Sequence, residues 1–309
     1  MEFEVLESDK GKRADAFLLE KFPSFSRSFI QNAMKKEAAY VLRGGKKIFK
    51  AGEALRFSDV VFFESQEPKP IETVGQDVDF EIVYQDADVA VVNKPQGVVV
   101  HPCTSCKDGT LVNGLIKEIK DLSGINGELR PGIVHRIDKN TCGLLIVAKN
   151  DFAHNELAKQ IANKTCKRNY LGLIEGAFKE QEGTVETLIA RDRKDRKKMA
   201  AYEIGENIPG ARVAITEYKT VEYLKNFSLI EFSLKTGRTH QIRVHCKYLN
   251  HPLVGDETYG GAKKFGLVGQ FLCAYKISFV HPRTNEKMEF EIPLPEKFEG
   301  ILNSLRKNK

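Results

Sequence analysis

The sequence has no tryptophan, only six cysteines, and no apolar run approaching the roughly 18 residues that a membrane-spanning helix needs. Each absence removes a class of protein. Six cysteines in 309 residues are too sparse for a disulfide scaffold. No G-x-G-x-x-G follows a predicted strand and no G-x-x-x-x-G-K-[ST] occurs, which argues against a dinucleotide or phosphate-loop site. There is no G-x-S-x-G elbow, no internal repeat and no low-complexity tract. Residues 1–12 alternate acidic with apolar residues and carry no basic leader or apolar h-region, so the expectation is a cytoplasmic protein with no membrane partner. The run His101-Pro-Cys103-Thr-Ser-Cys106 offers one C-x-x-C pair and a nearby histidine. It lacks the further ligands that zinc requires, and no metal is expected. Cys142 and Cys166 have no sequence-local base and read as buried, inert thiols.

What is present is a globular chain of about two domains, 41% apolar and 29% charged. Lys and Arg number 48 against 42 Asp and Glu, a net +6 that favours a polyanionic partner. The excess is uneven. Arg191 to Lys198, RDRKDRKK, concentrates it, and Lys159, Lys164, Lys167 and Arg168 form a second cluster. A solvated face accounts for either run as readily as a phosphate contact does.

Glu67, Pro68, Lys69 and Pro70 break the apolar pattern and suit an extended linker. The division expected is a small domain over 1–65, a linker over 66–78 and a large domain over 79–300. In the first, 13–19 and 26–36 read as helices, with Ser24 or Ser26 as a cap. Gly44-Gly45 reads as a turn and 54–63 as a strand. In the second, strands are expected at 89–93, 144–148, 169–174, 184–189, 213–223, 227–234 and 271–280, and helices at 110–119 and 151–162. Helices do not alternate regularly with strands, so the fold class expected is α+β, with a mixed, mostly antiparallel sheet.

Two polar segments lie where strand meets turn. In the first, Asp138 follows His135 and Arg136 and precedes Thr141-Cys-Gly143. A turn-capping aspartate is the plain alternative to chemistry there. The second runs from Lys235 to His245, KTGRTHQIRVH. Thr239 is expected to cap a helix reaching about Asn250, with Gln241 and His245 on one face and Arg243 on another. Cations at such a helix start could meet phosphate, although an ordinary basic cap looks the same in sequence.

Together these segments closely resemble the RluA family of RNA pseudouridine synthases. Its H-R-L-D core and following T-x-G are matched by His135-Arg136-Ile137-Asp138 and Thr141-Cys142-Gly143. The likeness continues through Lys167 to Leu171 (a K-x-Y-L segment), Thr236 to His245, His281-Pro282 and Pro293-Leu294-Pro295, and covers roughly residues 79–298. The stretch 121–138 looks like the large-subunit-rRNA branch typified by RluD. Residues 13 to about 60 resemble a small α/β RNA-binding domain shared with a ribosomal small-subunit protein, through Arg13, Asp15, Ser26 and Arg27. Four departures stand out. Glu37 replaces a usual glycine, and Tyr40 to Gly45 lacks V-x-V-N-G. Asp192-Arg193 replaces His-Pro, and Cys273 replaces a histidine before Ala274.

The resemblance implies a pseudouridine synthase fold around an RNA-binding cleft and isomerisation of uridine, with no cofactor. It implies Asp138 as the essential carboxylate, Tyr170 as the ring that stacks on uracil, and Arg243 as the partner of Asp138. Leu272 would pack near the base, and Arg136 would enter the RNA where the uridine leaves it. His135, Arg238, His240 and Gln241 are expected among the substrate contacts. Arg13, Arg27, Arg196, Lys197 and Lys198 are expected on the RNA backbone. The partner implied is structured RNA of the 23S type or a large-subunit precursor, bound by a monomer without nucleotide cofactor. The alternatives are a noncatalytic RNA-binding or ribosome-assembly protein that keeps the fold, and a hydrolase that releases uracil.

Overall fold

The computed structural model describes residues 1–22, 27–64, 73–103, 106–124 and 131–307, except the side chains of residues 27–29 and 32. The chain divides into two compact units, Met1–Ile71 and Glu72–Lys309. Ser24, Ser26, Pro68 and Pro70, proposed above as cap and linker residues, lie outside the described set, as does the side chain of Arg27.

The first unit packs two helices, α1 (Ala14–Lys21) and α2 (Arg27–Lys35), with a four-stranded antiparallel sheet. Its strands are β1 (Glu2–Glu4), β2 (Ala39–Arg43), β3 (Lys46–Ile48) and β4 (Val60–Phe63), in the order β1-β4-β2-β3. Phe17, Leu18, Ile30, Met34, Val41, Val61 and Phe63 form its core. Only the end of the strand expected over 54–63 is strand. Ser58 takes a φ of 65°, and Asp59 folds back to accept from the amide of Arg56 at 2.8 Å, so the chain turns before β4 begins. Glu37, at a place where the resemblance leads to glycine, adopts a φ of 64°. The backbone thus keeps the left-handed turn that glycine would take without strain.

The second unit carries a ten-stranded sheet. Its elements are β5 (Glu81–Gln85), β6 (Val89–Lys94), α3 (Leu111–Glu118), β7 (Cys142–Ala148), α4 (Asp151–Ala162), β8 (Lys167–Glu175), β9 (Glu182–Arg191), β10 (Met199–Tyr202), β11 (Arg212–Leu224), β12 (Phe227–Leu234), α5 (Gln241–Tyr248), β13 (Leu272–Val280), β14 (Lys287–Glu291) and α6 (Glu296–Lys307). The strand order is β10-β9-β11-β12-β8-β13-β7-β6-β5, with β14 also on β13. Among the described strands only β13 and β7 pair in parallel, so the sheet is mixed and mostly antiparallel. This is the expected α+β class.

β7 shows why one run of the chain is continuously apolar. All seven of its residues are buried. Leu145 and Val147 pack into a cluster with Leu111, Val112 and Leu115 of α3, while Leu144 and Ile146 pack with Ala153 and Leu157 of α4. Both faces are covered, so neither alternating position can be polar. The C-terminal helix α6, which the sequence reading leaves out, buries Phe298, Ile301 and Leu302, and the rings of Phe271 and Phe298 stack 3.9 Å apart.

Residues 73–78, expected in the linker, instead lie along α3. The side-chain amide of Asn113 donates to the Val74 carbonyl at 2.9 Å, and the backbone amide of Gln76 donates to the Asn113 carbonyl at 3.0 Å. Asp86, Asp88 and His281 approach closely enough to suggest a metal site. Protein partners take them all. Asp86 accepts from Tyr84, the amides of Asp88 and Val89, and His281, while Asp88 is gripped by Arg283 at 2.6 and 2.7 Å. No helix among the described residues is long and apolar enough to cross a membrane.

Candidate active site

Asp138 sits in a turn that precedes β7, closed by a 3.1 Å hydrogen bond from the Thr141 amide to the Asp138 carbonyl. The turn is pinned from behind. Lys94, fully buried, donates from Nζ to the carbonyls of Pro95, Val98 and Lys139 at 2.7, 2.9 and 3.1 Å. Burial pushes its ammonium down to about 8. Gln96 donates to the Asn140 carbonyl at 2.9 Å, and Gln270 to Thr141 Oγ1 at 2.9 Å. Gly143 then passes against β13 with a φ of 112°, where any Cβ would lie 2.3 Å from the Ala274 carbonyl oxygen. Here T-x-G is a requirement for close strand approach.

Arg243, from α5, reaches this turn across the cleft. Its Nη1 donates to Asp138 Oδ2 at 3.0 Å, while Nε and Nη2 grip both oxygens of Asp256 at 2.7 and 2.8 Å. Burial disfavours its charge, but the hydrogen bonds and charge of Asp256, with those of Asp138, outweigh that and hold the guanidinium well above its ordinary value. Asp138 Oδ1 accepts no hydrogen bond from a described residue, and His240 Nε2 lies 3.9 Å from it. One oxygen is bound by Arg243 and the other is not.

The expected Thr239 cap is displaced by one residue. His240 occupies the N-cap of α5, in the left-handed region at φ 58°. That backbone is compatible with its ring reaching Tyr259, whose hydroxyl lies 2.8 Å from Nδ1 and also accepts from the Met199 amide at 3.0 Å. Burial keeps the His240 pKa below its usual value, with Asp138 opposing and Arg243 assisting. The ring of Tyr259 lies 5.0 Å from the Arg243 guanidinium carbon, in cation–π range.

A cavity of about 680 Å³ opens over Asp138 and is lined by Tyr170, Leu272, His135, Arg136, Arg238, His240, Gln241 and Arg243. All nine residues assigned above to catalysis and substrate contact therefore meet in one site. Tyr170 on β8 is nearly buried, and desolvation raises its hydroxyl to about 12, so it stays protonated at neutral pH. Arg136 is exposed at the rim. The lining holds a single carboxylate, Asp138, against Arg136, Lys164, Arg168, Arg212, Lys235, Arg238 and Arg243.

Two of the nine have different work from that expected. Gln241 is committed on every polar valence. Its amide donates to the Ile215 carbonyl and Thr216 Oγ1, and its oxygen accepts from Thr236 Oγ1 and the Arg238 amide. It braces the loop before α5. His135 accepts the Ile146 amide on Nε2 at 3.0 Å, which places its ring proton on Nδ1, and burial lowers its pKa to about 3. It is a neutral, buried ring behind the turn.

Of the residues expected on the RNA backbone, Arg196, Lys197 and Lys198 do not line this cavity. Arg13 is paired with buried Asp15 through two 3.0 Å hydrogen bonds, in the first unit. Arg196, Lys197 and Lys198 lie in the loop joining β9 to β10. There Asp192 turns inward to accept the amides of Lys194 and Asp195, leaving Arg193, Lys194, Arg196 and Lys197 exposed. Asp256, Tyr259 and Lys94 are site residues that sequence reasoning leaves unassigned, and Arg168, read there only as part of a basic cluster, lines the cavity. The adjacent Gly255-Asp256 and Tyr259-Gly260 steps are the signal that bears on two of them.

Comparison with known proteins agrees with this geometry. A family model described as RNA pseudouridylate synthase matches residues 88–248, just over half of the chain. The chain belongs to that family. A protein named uncharacterized RNA pseudouridine synthase YlyB, from Bacillus subtilis, is 45% identical over 302 residues, covering 98% of this chain and 97% of that one. Ribosomal large subunit pseudouridine synthase D of Zymomonas mobilis is 42% identical over 247 residues, covering 77% and 76% respectively. Among solved structures, human RNA pseudouridylate synthase domain containing 1 aligns with a TM-score of 0.56 and 25% identity, over 78% of this chain and 98% of that one. The chain is an RNA pseudouridine synthase of the RluA family, and hence an isomerase.

Proposed function

We propose that the enzyme converts a uridine of large-subunit ribosomal RNA to pseudouridine, with Asp138 as the essential carboxylate. The observation that carries the assignment of roles is the split state of that carboxylate: Oδ2 bound by Arg243 and Oδ1 free at a cavity lined by Tyr170. The reaction breaks N1–C1′, turns the uracil and joins C5 to C1′. The proton lost from C5 is matched by one gained at N1, so no electrons are exchanged with a cofactor. Attack at C1′ and abstraction of a ribose proton both need the same free, ionised oxygen. A guanidinium 3.0 Å from the other oxygen fixes the orientation of the carboxylate.

The target uridine must leave its stack, because its C1′ and base cannot be worked on inside a helix. Tyr170 offers the ring for the extruded uracil, Leu272 packs beside it, and exposed Arg136 fills the place it leaves. Arg238 and His240 complete the substrate contacts. The excess of cations in the cavity suits a polyanionic strand. The first unit and the Arg196–Lys198 loop add affinity for RNA beyond the target. The protein acts as a monomer in the cytoplasm, where ribosomal RNA is found.

The ribosomal substrate rests on relatives named for that activity, such as those of Zymomonas mobilis and Neisseria meningitidis. Mapping pseudouridines in ribosomal RNA from cells with and without the enzyme tests it. Loss of one or more large-subunit pseudouridines, restored by the wild-type chain, is expected. An unchanged ribosomal map with losses confined to transfer RNA would overturn the substrate and leave the chemistry standing.

A further inference from the structure

Arg168 is the one buried cation of the cavity lining that no described carboxylate pairs with. It lies two positions before Tyr170 on β8, so the two side chains leave the same face of the strand. Only 6% of Arg168 is exposed, yet no described carboxylate pairs with it and no described residue accepts a hydrogen bond from its side chain. Its Nε is sealed from solvent without a partner. The contrast with Arg243 is direct, because that guanidinium has two carboxylates and three hydrogen bonds. Buried unpaired arginine opposes folding, since the guanidinium has lost its water and gained no anion.

The surroundings keep space for it. A Cβ on Gly237 would lie 3.0 Å from Arg168 Nη1, and Gly237 has no positive φ to explain the absence of a side chain. A side chain there would crowd the guanidinium. Around Arg168 the lining adds Lys164, Arg212 and Arg238 and no acid except Asp138, which Arg243 already holds. A neutral uracil would not balance this charge. A phosphodiester would, because its two free oxygens match the planar fork of a guanidinium.

We propose that Arg168 binds a phosphodiester of the RNA strand beside the target uridine, and that its missing counter-ion in the protein is the substrate. This rests on the pseudouridine synthase reading of the same cavity. The burial that costs stability in the free enzyme strengthens the contact in the complex, because the charge is already desolvated when the strand arrives.

The test uses the full-length enzyme and a ribosomal RNA fragment that it converts. Arg168→Met keeps length and apolar volume and removes the charge, while Arg168→Lys keeps the charge without the fork. Without RNA, Arg168→Met should melt above wild type, because an unpaired buried charge has gone. Its affinity for the fragment should fall about tenfold, the size of one charge-assisted hydrogen-bond pair. Its log–log salt slope should be shallower by about 0.7–0.9. Arg168→Lys should fall between the two in affinity. Neutral methylphosphonate linkages, placed one at a time around the uridine, should include one that weakens wild type equally and adds nothing to Arg168→Met.

Unchanged affinity and salt slope in folded Arg168→Met would overturn the proposal. So would additive losses at every linkage, or intact affinity with a slowed saturated rate, which would put the guanidinium on the base. Failure of wild type to convert the fragment would instead remove the substrate assignment on which the proposal rests.

Discussion

Asp256 holds Arg243 by two hydrogen bonds of 2.7 and 2.8 Å, leaving one guanidinium nitrogen for Asp138 at 3.0 Å. This asymmetry aims the carboxylate proposed above as essential. A flexible cation would neutralise Asp138 equally well, but a guanidinium fixed at two points also sets which oxygen is bound and which is free. Asp256→Asn should therefore lower kcat at least tenfold with little change in KM. It should also destabilise the fold by up to about 3–5 kcal/mol, the range for breaking a buried pair from one side. Arg243→Lys should be similarly impaired despite keeping its charge. Steady-state kinetics with parallel melting curves check both, and wild-type kcat in folded Asp256→Asn would contradict the positioning role.

Tyr170→Leu removes the ring and keeps apolar volume. Stacking contributes about 1–3 kcal/mol per base, so turnover efficiency should fall roughly ten- to a hundredfold or more. Tyr170→Phe, assayed beside it, isolates the hydroxyl, which stays protonated at assay pH because burial raises it to about 12. Equal efficiency of the Leu variant and wild type would remove the stacking role.

Reversal of Arg196, Lys197 and Lys198 to Glu should weaken RNA binding and flatten its salt dependence, because fewer counterions are released. The loop stands outside the cavity, so the saturated rate should hold. Binding titrations at several salt concentrations decide the matter. An unchanged slope would return the loop to an ordinary solvated surface.

His245 is buried between Thr187 and Thr216, whose hydroxyls lie 3.0 and 2.9 Å from its two ring nitrogens, and burial lowers its pKa to about 4. Between its ordinary value of 6.5 and about 4 the unfolded chain binds a proton that the folded chain refuses. Stability from this residue is therefore complete above pH 6.5 and is lost as the pH falls toward 4, by about 3 kcal/mol in all. Denaturant melts of wild type and His245→Gln across that range should converge as the pH falls. Parallel curves would contradict the assignment.

Legibility in the sequence followed the range of the interactions. The α4 and β12 limits match those read from local pattern, because caps and turns there are local: Asn150 caps α4 by accepting from the Ala153 amide at 2.9 Å. The joint site of Asp138, Tyr170, Arg243 and Leu272 was readable only through the family motifs, since 105 residues separate Asp138 from Arg243. Asp256 is silent in the sequence because nothing local to a glycine-rich turn marks an acid as the clamp of an arginine 13 residues earlier. The start of α5 is not legible locally because His240, not a side-chain cap, makes the turn with a left-handed backbone. Gln241 reads as a substrate contact because two of its four hydrogen bonds go to Ile215 and Thr216 of β11, more than twenty residues away in sequence.

The central claim is that the free oxygen of Asp138 does the chemistry. Asp138→Asn preserves size and removes the anion, and its fold is verified by circular dichroism and melting. The measurement is single-turnover conversion of a uridine in a ribosomal RNA fragment, with wild type and variant at equal RNA occupancy. Affinity close to wild type with no detectable pseudouridine is the expected result. Substantial conversion by the folded variant would contradict the account.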